Sequence, residues 1–220
     1  MDKITSAPVE QSDREFEQFI CAACHDLRES LREIRLRAEL GPGGDIEDQI
    51  RAMELLLDGM MEYSSVCAVE NSHARVEMEG VLSQVLVQLD MQIQESAAVV
   101  THDPLPAVMG DSSELATVLR HLLMNALKFH GGDSPRIHVS ARAMRDQWEF
   151  SVRDNGPGIE AAYHERVFLP FRRLHGRSHA GNGLGLAICR RAIERHRGEI
   201  WVAPEPESGT TVSFTLPAAH

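Results

Sequence analysis

No apolar run in the 220 residues approaches the roughly 18 needed to cross a membrane, and the opening MDKITSAPVEQSDREFEQ has no apolar secretory core. Positive charge is also in deficit. Lys and Arg number 22 against 33 Asp and Glu, leaving a formal net charge of -11 and a pI near 5.4. That balance excludes a broad basic surface for nucleic acid or for an anionic membrane, although local basic clusters remain possible. Cysteine is scarce: Cys21, Cys24, Cys67 and Cys189. In the cytoplasm, the compartment these absences point to, they are expected to be thiols. Internal repeats and low-complexity segments are lacking too. What is present, 43% hydrophobic and 25% charged residues, suffices for one large soluble domain or two small ones.

Two periodicities divide the chain. Phe16, Ile20, Ala23, Leu27, Ser30 and Ile34 alternate spacings of four and three, a heptad seam broken only by Ser30. After the breaker Gly41-Pro42-Gly43-Gly44 a second seam runs Ile46, Ile50, Met53, Leu57, Met60, Ser64 and Cys67. Leu31, Leu36, Leu55, Leu56 and Met61 widen the apolar face. Residues 1–71 therefore read as an all-α helical hairpin that completes its core by pairing with a second copy into a four-helix bundle. His25 falls off the seam and is expected to face outward.

Residues 72–220 alternate differently. A short alternating stretch at 76–80, a helix at 81–94, a strand at 97–101 and a strong amphipathic helix at 112–129 come first. Strands at 136–142 and 148–154, a polar stretch at 160–182, a helix at 184–195 and strands at 199–203 and 210–216 follow. The mixture predicts an α+β sandwich, one sheet with helices on one face.

Three motifs in this second segment carry chemistry. Asp154-Asn155-Gly156-Pro157-Gly158-Ile159 follows a strand and places a carboxylate beside glycines where backbone can approach a flat ligand. Gly181-Asn182-Gly183-Leu184-Gly185-Leu186 opens a helix, whose bared amides suit phosphate. Asn125-Ala126-Leu127-Lys128-Phe129 closes another helix with a neutral oxygen ligand for a hard cation and a cation for phosphate. Singly, each motif is common; in this order they are far more specific.

With these motifs and FLPFRRLHGRSHAGNGLGLAICRRAIERHRGEIWV, the chain from about 12 to 217 resembles the core of two-component sensor histidine kinases. Its tail is most similar to the phytochrome-type and related soluble sensors. The resemblance implies a Bergerat-type ATP-binding fold after the hairpin, with ATP and Mg²⁺ as cofactors. It makes His25 the phospho-accepting histidine, Asp26 the adjacent acid and Arg28 the basic residue of the same box. Asn125 would bind Mg²⁺, Lys128 face phosphate and Phe129 lie near the nucleotide. Asp154, flanked by Gly156 and Gly158, would accept from the adenine amino group, with Thr210 behind the base. Phe168 and Phe171 resemble the paired aromatics of the lid, and Gly181, Gly183, Leu184 and Gly185 the phosphate loop. The phosphoryl group would pass from His25 to an aspartate of a response-regulator receiver domain.

The chain departs from that pattern at Ser30, where the family usually has proline, so the helix should be straighter there. Glu29 replaces the usual Thr or Asn of members that dephosphorylate their partner, and its charge predicts weak phosphatase activity. His121 stands where related kinases usually carry Asn. A degraded module that binds ATP and docks a partner without phosphorylating is the competing reading. A third, a haem or redox protein, rests on Cys21-Ala22-Ala23-Cys24-His25, a C-x-x-C-H pattern. Of the eleven histidines, His175 and His179 stand four apart, but no nearby Cys or His completes a metal-ligand set, and His164, His175, His179 and His196 are expected to be solvated. Cys67 and Cys189 are expected to be buried, and Arg190, Arg191, Arg195 and Arg197 to form a solvated face. The roughly 15 residues before the first helix leave no room for a sensory domain, so the expected input is an upstream domain or protein.

Overall fold

The computed structural model describes residues 27, 31–32, 46–68, 73–172, 183–204 and 209–219. These fall into two compact units, one within residues 1–62 and 170–184 and one within 63–169 and 185–220. His25, Asp26, Arg28, Glu29, Ser30, the breaker at 41–44 and Gly181 lie outside the described residues.

The second helix of the expected hairpin is present as α1, Ile46–Ala68. Of its expected seam, Ile50 and Leu57 are 47% and 45% exposed in the single chain, and the adjoining Met61 reaches 72%.

The larger unit is the expected α+β sandwich. After α1 come β1 (Ala74–Glu77), α2 (Met78–Gln88), α3 (Asp90–Glu95), β2 (Val99–His102) and β3 (Ala107–Gly110). Then follow α4 (Ser112–Lys128), β4 (Arg136–Ala143), β5 (Gln147–Asp154), α5 (Gly185–Arg195), β6 (Ile200–Ala203) and β7 (Thr211–Pro217). Five strands form one sheet in the order β2-β4-β5-β7-β6, and β1 pairs with β3 apart from it. Every pair is antiparallel except β2 with β4.

Alternation gives the sheet one apolar face. Ile137, Val139, Phe150, Val152, Val202, Val212, Phe214 and Leu216 are all buried. Phe150 and Phe214 are cross-strand partners whose rings stack with centroids 5.2 Å apart. Such a pair adds about 1 kcal/mol beyond its area. Helix α4 packs on β4 and β5, and α5 on β6 and β7.

Helix α4 forms where the sequence says it should. Leu115, Val118, Leu119, Leu122, Leu123, Ala126 and Leu127 recur every three or four residues, and all are buried. Burying each of the large ones contributes roughly 2 kcal/mol. Asp111 caps the start, its Oδ1 accepting from the amides of Ser113 (2.9 Å) and Glu114 (3.1 Å).

Helices α4 and α5 run antiparallel, because the first turn of α4 meets the last of α5 while His121 meets Gly185. At the former junction polar groups close on one another. His196, fully buried, donates from Nδ1 to the Ala192 carbonyl at 2.7 Å and accepts the Asp111 amide at Nε2 at 2.9 Å. A carbonyl can only accept and an amide only donate, which fixes the neutral Nδ1–H tautomer. Arg195 Nε lies 3.4 Å from Glu114 Oε1, and His196 Nδ1 3.6 Å from Glu114 Oε2. Gly110 makes the room: a Cβ there would sit 2.7 Å from His196 Cδ2.

Several expectations are corrected. The segment expected to alternate through residue 80 already turns helical at Met78, and the helix expected over 81–94 is two, broken at Leu89. Strand β3 was not expected at all. His196 is buried rather than solvated and His164 is half-buried. Arg195 is not a solvated residue either: its side chain is only 17% exposed, against Glu114. Cys189 is fully buried, as expected of a small apolar side chain.

Candidate functional site

Strand β5, central in the sheet, ends at Asp154, where backbone groups converge on its side chain. Oδ1 accepts the Gly156 amide at 2.8 Å and the Thr210 amide at 3.0 Å. The Asp154 amide in turn donates to the Thr210 carbonyl at 2.8 Å. The first bond makes an Asx turn of the Asp-Asn-Gly sequence. The second and third lock that turn onto the start of β7. Asn155 adds a tie to β4: its Oδ1 accepts the Arg136 amide at 2.8 Å, and its Nδ2 donates to the Ser134 carbonyl at 3.1 Å.

Two glycines of the motif are sterically required. A Cβ at Gly156 would lie 2.3 Å from the Phe129 carbonyl oxygen, so only glycine lets the turn pass the end of α4 this closely. Gly158 adopts φ +81, and a Cβ there would meet the Gly209 carbonyl at 3.0 Å. Gly209 itself, at φ +126, leaves only 2.2 Å between a would-be Cβ and the Asp154 carbonyl oxygen. The result is a closely packed backbone turn beside a half-buried carboxylate.

Helix α4 contributes a half-buried polar stripe to the same unit: Thr117, His121, Asn125 and Lys128, at helical spacing. Its last turn ends where Phe129 donates its amide to the Asn125 carbonyl at 2.8 Å. Lys128 Nζ lies 4.8 Å from the centroid of the Phe129 ring. The His121 ring packs beside the first residue of α5: a Cβ at Gly185 would fall 3.1 Å from its Nδ1.

Of the sequence-derived candidates, the larger unit thus brings Phe129, Asp154, Gly156 and Thr210 into one cluster. It places Asn125 and Lys128 on the adjoining helix end, Gly158 against Gly209, and Gly185 against His121. Phe168 is 3% exposed and serves the core of this unit. In the smaller unit Phe171 (φ +60) and Gly183 (φ +70) pack together, a Cβ at Gly183 lying 2.9 Å from the Phe171 carbonyl carbon. Leu184 is fully buried. Sequence reasoning assigned no role to Asn155 or Gly209. The Ser-Gly-Thr-Thr run ahead of β7 was the available signal for Gly209, since glycine before a strand marks a close approach.

The donor set is hard and sparse. Among the described residues no three His, Cys, Asp or Glu side chains come together as a metal site. A cation at the Asn125 amide oxygen would need oxygens from a ligand and from water, which is how Mg²⁺ is commonly held. No described helix is long and apolar enough to cross a membrane.

Comparison with known proteins gives a concordant picture. Residues 110–220 match the family described as histidine kinase-, DNA gyrase B-, and HSP90-like ATPase. The chain is 38% identical over 224 residues to cyanobacterial phytochrome A of Nostoc sp. (strain PCC 7120), covering 95% of this chain and 29% of that protein. It is 32% identical over 217 residues to the adaptive-response sensory kinase SasA of Synechococcus sp. (strain CC9902), covering 91% of this chain and 56% of the relative. Among solved structures, full-length ShkA in complex with AMPPNP superposes with a TM-score of 0.67 at 26% identity, covering 92% of this chain and 46% of that one. The chain therefore spans less than two thirds of the length of each of these proteins.

Proposed function

The chain belongs to the histidine kinase-, DNA gyrase B-, and HSP90-like ATPase family, as the core of a two-component sensor histidine kinase, and on that premise we propose that it is an ATP-dependent histidine autokinase. Residues 1–71 form the dimerising, phospho-accepting hairpin, and residues 72–220 the catalytic ATP-binding domain. Two hairpins pair into a four-helix bundle in the cytoplasm. An upstream sensory domain or protein sets the activity.

The observation that carries this reading is the fixed carboxylate of Asp154, held by the amides of Gly156 and Thr210 beside glycine backbone. An aspartate held this way can accept from the amino group of adenine. Lys128, at the end of α4, addresses the phosphates, and Asn125 would hold Mg²⁺. The resemblance assigns Gly181, Gly183, Leu184 and Gly185 to the phosphate loop and Phe168 and Phe171 to the lid. Mg²⁺, when bound, neutralises phosphate charge as the γ-phosphoryl departs.

In the reaction a neutral imidazole nitrogen of His25 attacks the γ-phosphorus in line, the N–P bond forms and the P–O bond to ADP breaks. Asp26 orients the ring through its other nitrogen, and Arg28 neutralises charge beside it. Little covalent activation is required, because phosphoryl transfer depends mainly on positioning and charge. Phosphohistidine then gives its phosphoryl group to a receiver-domain aspartate.

Incubation with γ-³²P-labelled ATP and Mg²⁺ tests this. Acid-labile, alkali-stable label on the native chain, absent from His25→Ala, is expected. Nucleotide binding without label would overturn the kinase reading in favour of a docking module.

A further inference from the structure

Between Asp154 and the buried Phe168 the chain makes two 3-10 turns, Ala161–Tyr163 and Arg166–Phe168. The far end of this segment is anchored. Val167 and Phe168 are 7% and 3% exposed, the second turn touches α5, and Glu165 lies 3.7 Å from Arg190 on that helix. The near end is the turn that carries Gly158 at φ +81. Two backbone bonds shape the first 3-10 turn, Tyr163 to the Glu160 carbonyl at 2.8 Å and His164 to the Ala161 carbonyl at 3.3 Å. Neither reaches back to the Asp154 turn.

One side chain does. The half-buried ring of His164 meets the Ile159 carbonyl through Nε2 at 2.9 Å. Because the carbonyl can only accept, Nε2 carries the hydrogen. Ile159 has left the sheet, so its carbonyl depends on this bond rather than on a ladder partner.

We propose that His164 is a positioning residue, which holds the loop after Asp154 in its nucleotide-ready shape by tying the Ile159 carbonyl to the segment anchored at Phe168. This rests on the reading of Asp154 as the adenine-binding residue. Without the tie, Gly158 and Ile159 are held only from the β5 side and sample more conformations. The loss then falls on nucleotide affinity, not on the fold.

The test uses the full chain titrated with fluorescent mant-ATP and Mg²⁺, with thermal melting alongside. His164→Met, which fills the space without a donor, is expected to bind about five- to tenfold more weakly with a near-native Tm, the size expected for one net hydrogen bond. His164→Gln, whose amide can donate to the same carbonyl, should recover binding to within about twofold of native. Native-like affinity in His164→Met, or Gln no better than Met, would overturn the proposal. A direct measurement on the native chain needs no variant: imidazole ¹⁵N shifts should report the Nε2–H form at His164, and an Nδ1–H form would overturn it. Asp154→Asn separates the two claims. If it abolishes binding while His164→Met does not, the nucleotide reading stands and the tie fails; no binding by the native chain would overturn both.

Discussion

The two ends of the antiparallel pair α4 and α5 use similar residue types to opposite effect. At the end formed by the start of α4 and the finish of α5, Asp111, Glu114, Arg195 and His196 spend their polar groups on one another, and Gly110 admits a buried imidazole. At the other end, Gly156 and Gly185 admit backbone and a half-buried ring, while Asn125 and Lys128 stand half-buried along α4. Glycine makes room at both ends. At both the protein fills the room, but only the second lies beside a carboxylate fixed by main-chain amides. Even at the first the polar closure is partial: Glu114 Oε2 and Arg195 Nε are buried within ion-pair distance of partners but make no hydrogen bond.

Paired glycine substitutions should break this comparison most severely. Gly156→Ala drives a Cβ to 2.3 Å from a backbone carbonyl, which cannot rotate away. A loss of mant-ATP affinity of at least about tenfold is expected, together with reduced stability. Gly110→Ala meets the His196 and Leu115 side chains at 2.7 and 2.9 Å. It should cost about 1–3 kcal/mol in melting experiments and leave affinity below the Tm unchanged. Loss of binding by a folded Gly110→Ala would show that the ends are not separable.

Removing the cap acts more mildly. Asp111→Ala should cost about 1 kcal/mol at pH 7, a fall of about 2–4 °C in Tm, without changing nucleotide affinity. Burial pushes the Asp111 carboxyl up, but the Ser113 hydroxyl and the Glu114 and Ser113 amides outweigh it and hold it below its ordinary 3.8. A depressed carboxyl stabilises the fold above its unfolded value and loses that contribution as pH falls through the folded one. The gap between native and variant should accordingly narrow as pH is taken below 3.8.

Glu114→Gln is the smallest and has the opposite sign. Burial raises the Glu114 carboxyl above 4.5, with Arg195 offsetting only part. A raised carboxyl favours folding below its unfolded value, and the contribution disappears as pH rises through the folded value. At pH 7 the ionised side chain is a burden, so the Gln variant should melt at or slightly above the native temperature. The advantage should vanish near pH 4.5; a variant clearly less stable at pH 7 would show that the ion pair with Arg195 outweighs burial.

Much of this was legible because it is local. The apolar period of α4 and the alternation of β5 and β7 are written in consecutive residues. So was the Asp154 turn, whose Asx bond spans two residues. The break at Leu89 was hidden because no glycine or proline marks it, and β3 because it follows Asp103-Pro104-Leu105-Pro106 and pairs with β1 more than twenty residues away. His196 was misread because its burial depends on Gly110 and Asp111, over eighty positions earlier. The bond from Thr210 to Asp154 is likewise long-range. A motif displays its residue types, whereas the partner that orients them comes from the fold.

The most direct test of the contrast between the two ends is backbone amide ¹⁵N–¹H spectroscopy of the full chain during titration with AMPPNP and Mg²⁺. The amides of residues 154–159, Gly185 and Thr210 should shift on saturation, while those of 110–114 and 195–198 stay in place. Shifts concentrated at the Asp111–His196 junction, or none at the Asp154 turn, would contradict it.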